Sequence, residues 1–134
     1  GDFAIGHYTH EKNPVTTRAA LTTIAIIREE GLVERAAERG AHAMERLRGL
    51  MDRSPHVGEL RGRGLMMGVE LVEERGAYKP ARELAERVYY RCLEEGLSFK
   101  ISAGNVLTLS PPLVIGRAEL DRALDIVEAA VLAG

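Results

Sequence analysis

The sequence predicts an α+β fold, a small and mainly antiparallel sheet with helices packed on one face. Three observations carry that expectation. The segments run helix, helix, two strands, helix, two strands, helix. The strands are short and come as neighbours joined by Gly-containing turns, which suits hairpins better than crossovers. Each helical segment carries an apolar stripe with charges away from it. With 134 residues, 46% of them apolar and 28% charged, the chain is long enough to bury one real core.

Residues 1–13 read as loop. Asn13-Pro14 is a helix start, because Asn caps orphan N–H groups and Pro fits the first turn, where its own N–H is not needed. Ala20, Ile24 and Ile27 then recur at helical spacing, and Gly31 suits the left-handed residue that ends a helix. A second helix over 32–52 places Val33, Ala37, Gly40, Met44, Leu47 and Met51 on one face. Ser54-Pro55 breaks the pattern. Val57–Arg61 reads as a strand, Gly62 and Gly64 as a tight turn or bulge around Arg63, and Leu65–Leu71 as a second strand.

A third helix is expected from Pro80 to about residue 95, with Leu84, Val88 and Cys92 inward and Gly96 ending it. Leu97, Phe99 and Ile101 alternate with Ser98, Lys100 and Ser102, which is strand periodicity. After a turn at Ala103-Gly104-Asn105, Val106–Leu109 forms another strand, stopped by Pro111-Pro112. The last helix, about 117–132, turns Leu120, Leu124, Val127 and Val131 inward.

The formal net charge is −2. No basic stripe or interleaved aromatic surface suits nucleic acid, and no apolar run approaches the ~20 residues of a membrane span. The single cysteine, Cys92, cannot form an internal disulfide. That points to a reducing, cytoplasmic setting with Cys92 as a small core thiol. The opening Gly1-Asp2-Phe3, without Met, reads as a start within a longer protein.

Chemistry-bearing residues are few. His7, His10 and Glu11 lack the spacing of a helical zinc site, so no metal is expected. Thr9 precedes the helix beginning at Pro14. A helix N-terminus favours phosphate, so its hydroxyl belongs either to an anion cradle or to an ordinary loop satisfied by its own backbone. Arg61-Gly62-Arg63-Gly64 lacks the Gly-Lys-Ser/Thr of a phosphate loop and runs into a strand. Its arginines remain candidates for meeting an anionic substrate. Lys12, Lys79 and Lys100 lie in loops or on a polar strand face, and none reads as a desolvated reactive amine. The residues alone therefore show no complete active site.

Three segments in order, "GHYTHEKNPVTTRAALTTIAIIREEGLVERAAERG", "VGELRGRGLMMGVELV" and "GNVLTLSPPLVIGRAELDRALDIVE", resemble the C-terminal portion of the class III aminotransferases, the ornithine and 4-aminobutyrate type. The resemblance implies the C-terminal small domain of a fold-type I pyridoxal-phosphate (PLP) enzyme. Residues 1–30 would be an interface loop and linking helix toward an upstream large PLP-binding domain, and residues 31–134 the small domain. It further implies a homodimer acting on small amino-acid and keto-acid substrates. The lysine that holds PLP would lie on the large domain, so no catalytic residue is expected in this chain. By the same resemblance Thr9 matches the threonine that hydrogen-bonds the phosphate of the partner subunit's PLP.

One position departs from the family pattern. Many members carry an arginine two residues before Ser/Ala-Pro-Pro to pair with the substrate α-carboxylate, and here that place is Thr108. A threonine cannot form a bidentate ionic pair, so another cation must serve or the substrate must be held differently. Amino transfer from an amino acid or amine to a keto acid is the activity implied. A racemase or epimerase on the same fold is the alternative that Thr108 motivates, and a non-catalytic interaction domain is a second alternative. The isolated chain is expected to be inactive and to expose apolar surface along 14–30.

Overall fold

A computed structural model describes residues 13–77 and 79–134. Two compact units divide the chain, Gly1–Val33 and Glu34–Gly134. The first contributes helix α1, Pro14–Glu29. Its start follows the expected chemistry: the Asn13 side chain accepts the Val15 N–H at 2.9 Å, and Pro14 occupies the first turn. Its end follows too. Gly31 takes φ +59, and its N–H bonds back to the Arg28 carbonyl at 3.2 Å. No residue of α1 is buried.

The second unit is built on a four-stranded sheet, order β1-β2-β4-β3, antiparallel at every pairing. The strands are β1 (Val57–Arg63), β2 (Met66–Leu71), β3 (Lys100–Ser102) and β4 (Val106–Leu109). Helices α2 (Leu32–Arg53), α3 (Arg82–Glu94) and α4 (Arg117–Leu132) supply the rest. Side chains alternate across a strand, so Met67, Val69, Leu71, Leu107 and Leu109 share the face that is buried. They meet Leu47 and Leu50 of α2, Leu84, Val88 and Cys92 of α3, and Leu120, Leu124 and Val127 of α4 in one core. The α+β prediction with helices on one face therefore holds.

Several details differ from the sequence expectation. The buried stripe of α2 is Leu32, Ala36, Gly40, Ala43, Leu47 and Leu50. Only Gly40 and Leu47 are shared with the predicted stripe, while Val33 is 63% exposed. Both sets fit a helical period. The one that wins sends three leucines and two alanines inward, and the alanines let α2 approach the sheet closely.

Gly40 shows how closely: a Cβ there would fall on the Gly64 carbonyl and lie 2.7 Å from the Gly64 Cα. The hairpin turn itself is Gly64-Leu65. β1 runs on through Gly62 and Arg63, paired to Met67 and Met66. Gly64 takes φ +55, the left-handed region that a two-residue hairpin loop reserves for glycine. The bulge lies elsewhere, between Val57 and Glu59.

Pro80 does not start α3. It makes an isolated bridge with Val72, and the helix begins two residues later. At the far end Gly96, φ +83, allows the Leu97 N–H to reach the Cys92 carbonyl at 2.8 Å and its own N–H to reach that of Leu93 at 3.0 Å. These are the paired bonds of a glycine-terminated helix. β3 is shorter than its periodicity suggests. Leu97 and Phe99 pack against the core without entering the ladder.

Polar contacts tie the loops and helices. Arg75 lays its guanidinium against three carbonyls, Val57 at 3.2 Å, Ser54 at 2.7 Å and Met51, and so closes the end of α2 onto β1. Between α2 and α4 runs a chain of ionic contacts. His42 Nε2 stands 2.5 Å from Asp121 Oδ1, and Arg117 donates to His42 Nδ1 at 2.9 Å. A neutral imidazole with its proton on Nε2 satisfies both bonds. Further along, Arg46 meets Asp125 at 2.7 Å and Glu128 at 2.7 Å, and Arg53 meets Glu128 at 2.5 Å.

Candidate functional site

The open face of the sheet is the face α2, α3 and α4 leave uncovered, and there the polar residues of the strands line up. Register sets their neighbours. Gly68 pairs with Thr108 across β2 and β4, Thr108 with Lys100 across β4 and β3, and Arg61 with Gly68 across β1 and β2. Directly opposed residues in an antiparallel pair present their side chains on the same side. Thr108 is thus half-buried between core residues Leu107 and Leu109 and points the other way. Its hydroxyl bonds the Ser102 hydroxyl at 2.9 Å.

Arg61 is held by carboxylates, Glu59 at 2.6 Å and Glu70 at 3.3 Å. Glu70 is itself braced by Asn105, whose amide donates to Glu70 Oε1 at 3.3 Å and to the Leu71 carbonyl at 2.9 Å. Sequence reasoning took Asn105 for a simple turn residue. In the structure it is 3% exposed and follows two left-handed positions, Ala103 at φ 53 and Gly104 at φ 82. The tight turn was legible, but the long-range bonds of the amide were not.

Beside β3 and β4 opens an apolar groove of ≈ 550 Å³, walled by Phe99, Pro111, Pro112, Ile115 and Leu124, and bordered by Ser98, Lys100, Thr108 and Ser110. Its size and its few polar groups suit a small organic ligand. The Ser110-Pro111-Pro112 turn that ends β4 forms part of the wall.

The remaining candidates fall as follows. Thr9, His7, His10, Glu11 and Lys12 lie outside the described residues. Arg63 belongs to β1, at the hairpin end. Lys79 pairs with Glu73 at 2.8 Å on the surface. Lys100 is exposed and, among the described residues, has no ion-pair partner. Cys92 is fully buried, and burial pushes its thiol up to about 11, so it is an inert core group at neutral pH. No cluster of three metal-binding side chains occurs among the described residues, and no helix there is long and apolar enough to cross a membrane.

This arrangement has known counterparts. The profile of class III aminotransferases matches residues 6–131. The chain belongs to the class III aminotransferase family. It is 47% identical over 128 residues to the (R)-1-hydroxy-2-aminoethylphosphonate ammonia-lyase of Vibrio splendidus, covering 96% of this chain and 27% of that protein. It is 41% identical to the leucine/methionine racemase of Thermococcus litoralis, covering 95% and 29%. The ornithine aminotransferase of Bordetella pertussis is 39% identical, covering 81% and 24%.

Solved structures agree in shape. A phospholyase from Arthrobacter in complex with phosphoethanolamine superposes with a TM-score of 0.84 at 32% identity, covering 90% of this chain and 29% of that one. An amine transaminase from an uncultivated Pseudomonas species, in its PLP-bound form, gives 0.87 at 32% identity, covering 98% and 30%. The chain thus spans less than a third of the length of these class III relatives.

Class III aminotransferases are PLP-dependent. The lysines among the described residues, Lys79 and Lys100, are both exposed, whereas the lysine that holds PLP needs a desolvated setting to lower its pKa. What the described residues offer on the open face of the sheet is one wall of a site: two hydroxyls and a lysine.

Proposed function

We propose that this chain is the C-terminal portion of a PLP-dependent enzyme that acts on a small amine without a keto-acid partner, most simply as an ammonia-lyase. Residues 1–30 form the interface loop and linking helix, and residues 31–134 the small domain. The working enzyme is a cytoplasmic homodimer in which the Thr9 hydroxyl meets the phosphate of the partner subunit's PLP.

The observation that carries the choice of reaction is Thr108. Amino transfer needs a second substrate, a keto acid whose carboxylate must be gripped, and a guanidinium grips a planar carboxylate through two parallel bonds. Position 108 supplies only a hydroxyl already engaged with Ser102, and Arg61 on the same face is occupied by two carboxylates. Elimination and racemisation need no such acceptor. The similarity to an ammonia-lyase at 47% identity supports elimination, and the substrate in that relative's name carries a phosphonate and no carboxylate on its amine carbon. Racemisation is supported by the racemase relative, and amino transfer by the ornithine aminotransferase relative.

The full-length enzyme, loaded with PLP, separates these readings. Given a small aminophosphonate with a hydroxyl on the carbon next to the amine carbon, and no keto acid, it is expected to expel that hydroxyl as water and, after hydrolysis of the resulting enamine or imine to a carbonyl, to release ammonia continuously. Product formation that stops unless a keto acid is added would establish amino transfer instead. Loss of optical activity from an amino acid, with no ammonia released, would establish the racemase.

A further inference from the structure

We propose that Lys100, together with the Thr108–Ser102 hydroxyl pair, forms a subsite for a tetrahedral oxyanion, the phosphonate or phosphate group of a ligand. The inference rests on the reading above that position 108 faces the substrate, and it names the cation that reading leaves open.

Register brings the groups together. Lys100 stands directly opposite Thr108 on the same side of the sheet, and Thr108 is bonded to Ser102 at 2.9 Å. Two hydroxyls in one mutual bond use one of their two protons, so one donor remains to point at a ligand. On the other flank, Gly68 lies opposite Thr108 and adds no side chain. A Cβ at Gly68 would meet only ordinary contacts, Val106 at 3.4 Å and Arg61 at 3.7 Å, so the space is open without being demanded by packing. Next in the row, Arg61 is neutralised by Glu59 and Glu70. Of the two cations in this row, only Lys100 has no anionic partner among the described residues.

The kind of anion follows from the donors. A guanidinium matches the plane of a carboxylate. An ammonium is a compact point charge with three rotatable donors, better suited to the several oxygens of a tetrahedral group.

Calorimetric titration of the PLP-loaded full-length enzyme with ethylphosphonate and with propionate tests this directly. Ethylphosphonate is expected to bind about tenfold more tightly than propionate. Lys100→Met should weaken ethylphosphonate by about tenfold or more, and Lys100→Arg should recover most of the loss. Because Lys100 is exposed on an edge strand, the thermal midpoint should stay unchanged. Should Lys100→Met prove unstable, Lys100→Gln serves the same comparison.

Equal binding of ethylphosphonate by wild type and the neutral variant overturns the subsite, even if the enzyme proves to be a lyase. Lys100-dependent binding in an enzyme that shows only amino transfer upholds the subsite and overturns the proposed reaction.

Discussion

Helices α1 and α4 are each 16 residues long, and both carry apolar residues at helical spacing, yet they end differently. In α4, Leu120, Leu124, Val127, Ala130 and Val131 are buried. In α1 nothing is, and Leu21, Ile24 and Ile26 stand 56%, 47% and 43% exposed. A periodic stripe therefore says that a helix has a face to bury, not where the burying surface is. α4 finds its surface within the unit Glu34–Gly134. α1 keeps apolar area of the kind expected where another part of a longer protein, or a second subunit, packs.

The contrast can be broken by substitution. Leu124→Ala should cost about 2–5 kcal/mol in chemical denaturation, because it removes buried methyl groups and leaves a cavity. Gly40→Ala comes next, at about 1–3 kcal/mol, since the added Cβ collides with the Gly64 backbone, which cannot move as a flexible side chain would. Gly49→Ala sits on the same helix with nothing within 4 Å, and it should stabilise by roughly 0.5–1 kcal/mol. A Gly49 effect of the same sign and size as that of Gly40 would mean the α2–hairpin contact is misplaced. Ile24→Ala in α1 should change stability by no more than about 0.5 kcal/mol. A loss approaching that of Leu124→Ala would show that α1 is buried in solution.

Acid gives a further test of the α2–α4 contacts. The Asp121 carboxyl is held below its usual range, first by the hydrogen bond from His42, which outweighs the opposing effect of burial, and to a lesser degree by the nearby Arg117. A depressed carboxyl in the folded state contributes stability that is complete above the ordinary unfolded value of about 3.9 and is lost as pH falls through the lower folded value. Denaturation midpoints from pH 6 down to pH 2 should therefore decline less steeply for Asp121→Asn than for wild type. Parallel acid limbs would show that Asp121 is not coupled to folding.

Periodicity and turn chemistry made the element order legible, from Asn13-Pro14 through the glycines at 31, 64 and 96 to the inward face of α4. They could not choose between two stripes of α2 one residue apart, because that choice belongs to the surface α2 meets. Nor could they show His42 beside Asp121 or Asn105 beside Glu70, pairs far apart along the chain that only the sheet order and helix packing bring together. Of the candidate site, Thr108 was visible as a departure from a family motif. Its setting opposite Lys100 and beside a bare Gly68 appeared only with the strand register.

The choice of reaction turns on the guanidinium that position 108 lacks. In the PLP-loaded full-length enzyme, Thr108→Arg should tighten binding of a keto acid by about tenfold, roughly 1.4 kcal/mol, and raise amino transfer above that of wild type. Wild type binding the keto acid as tightly as Thr108→Arg, with transfer already present, would contradict it.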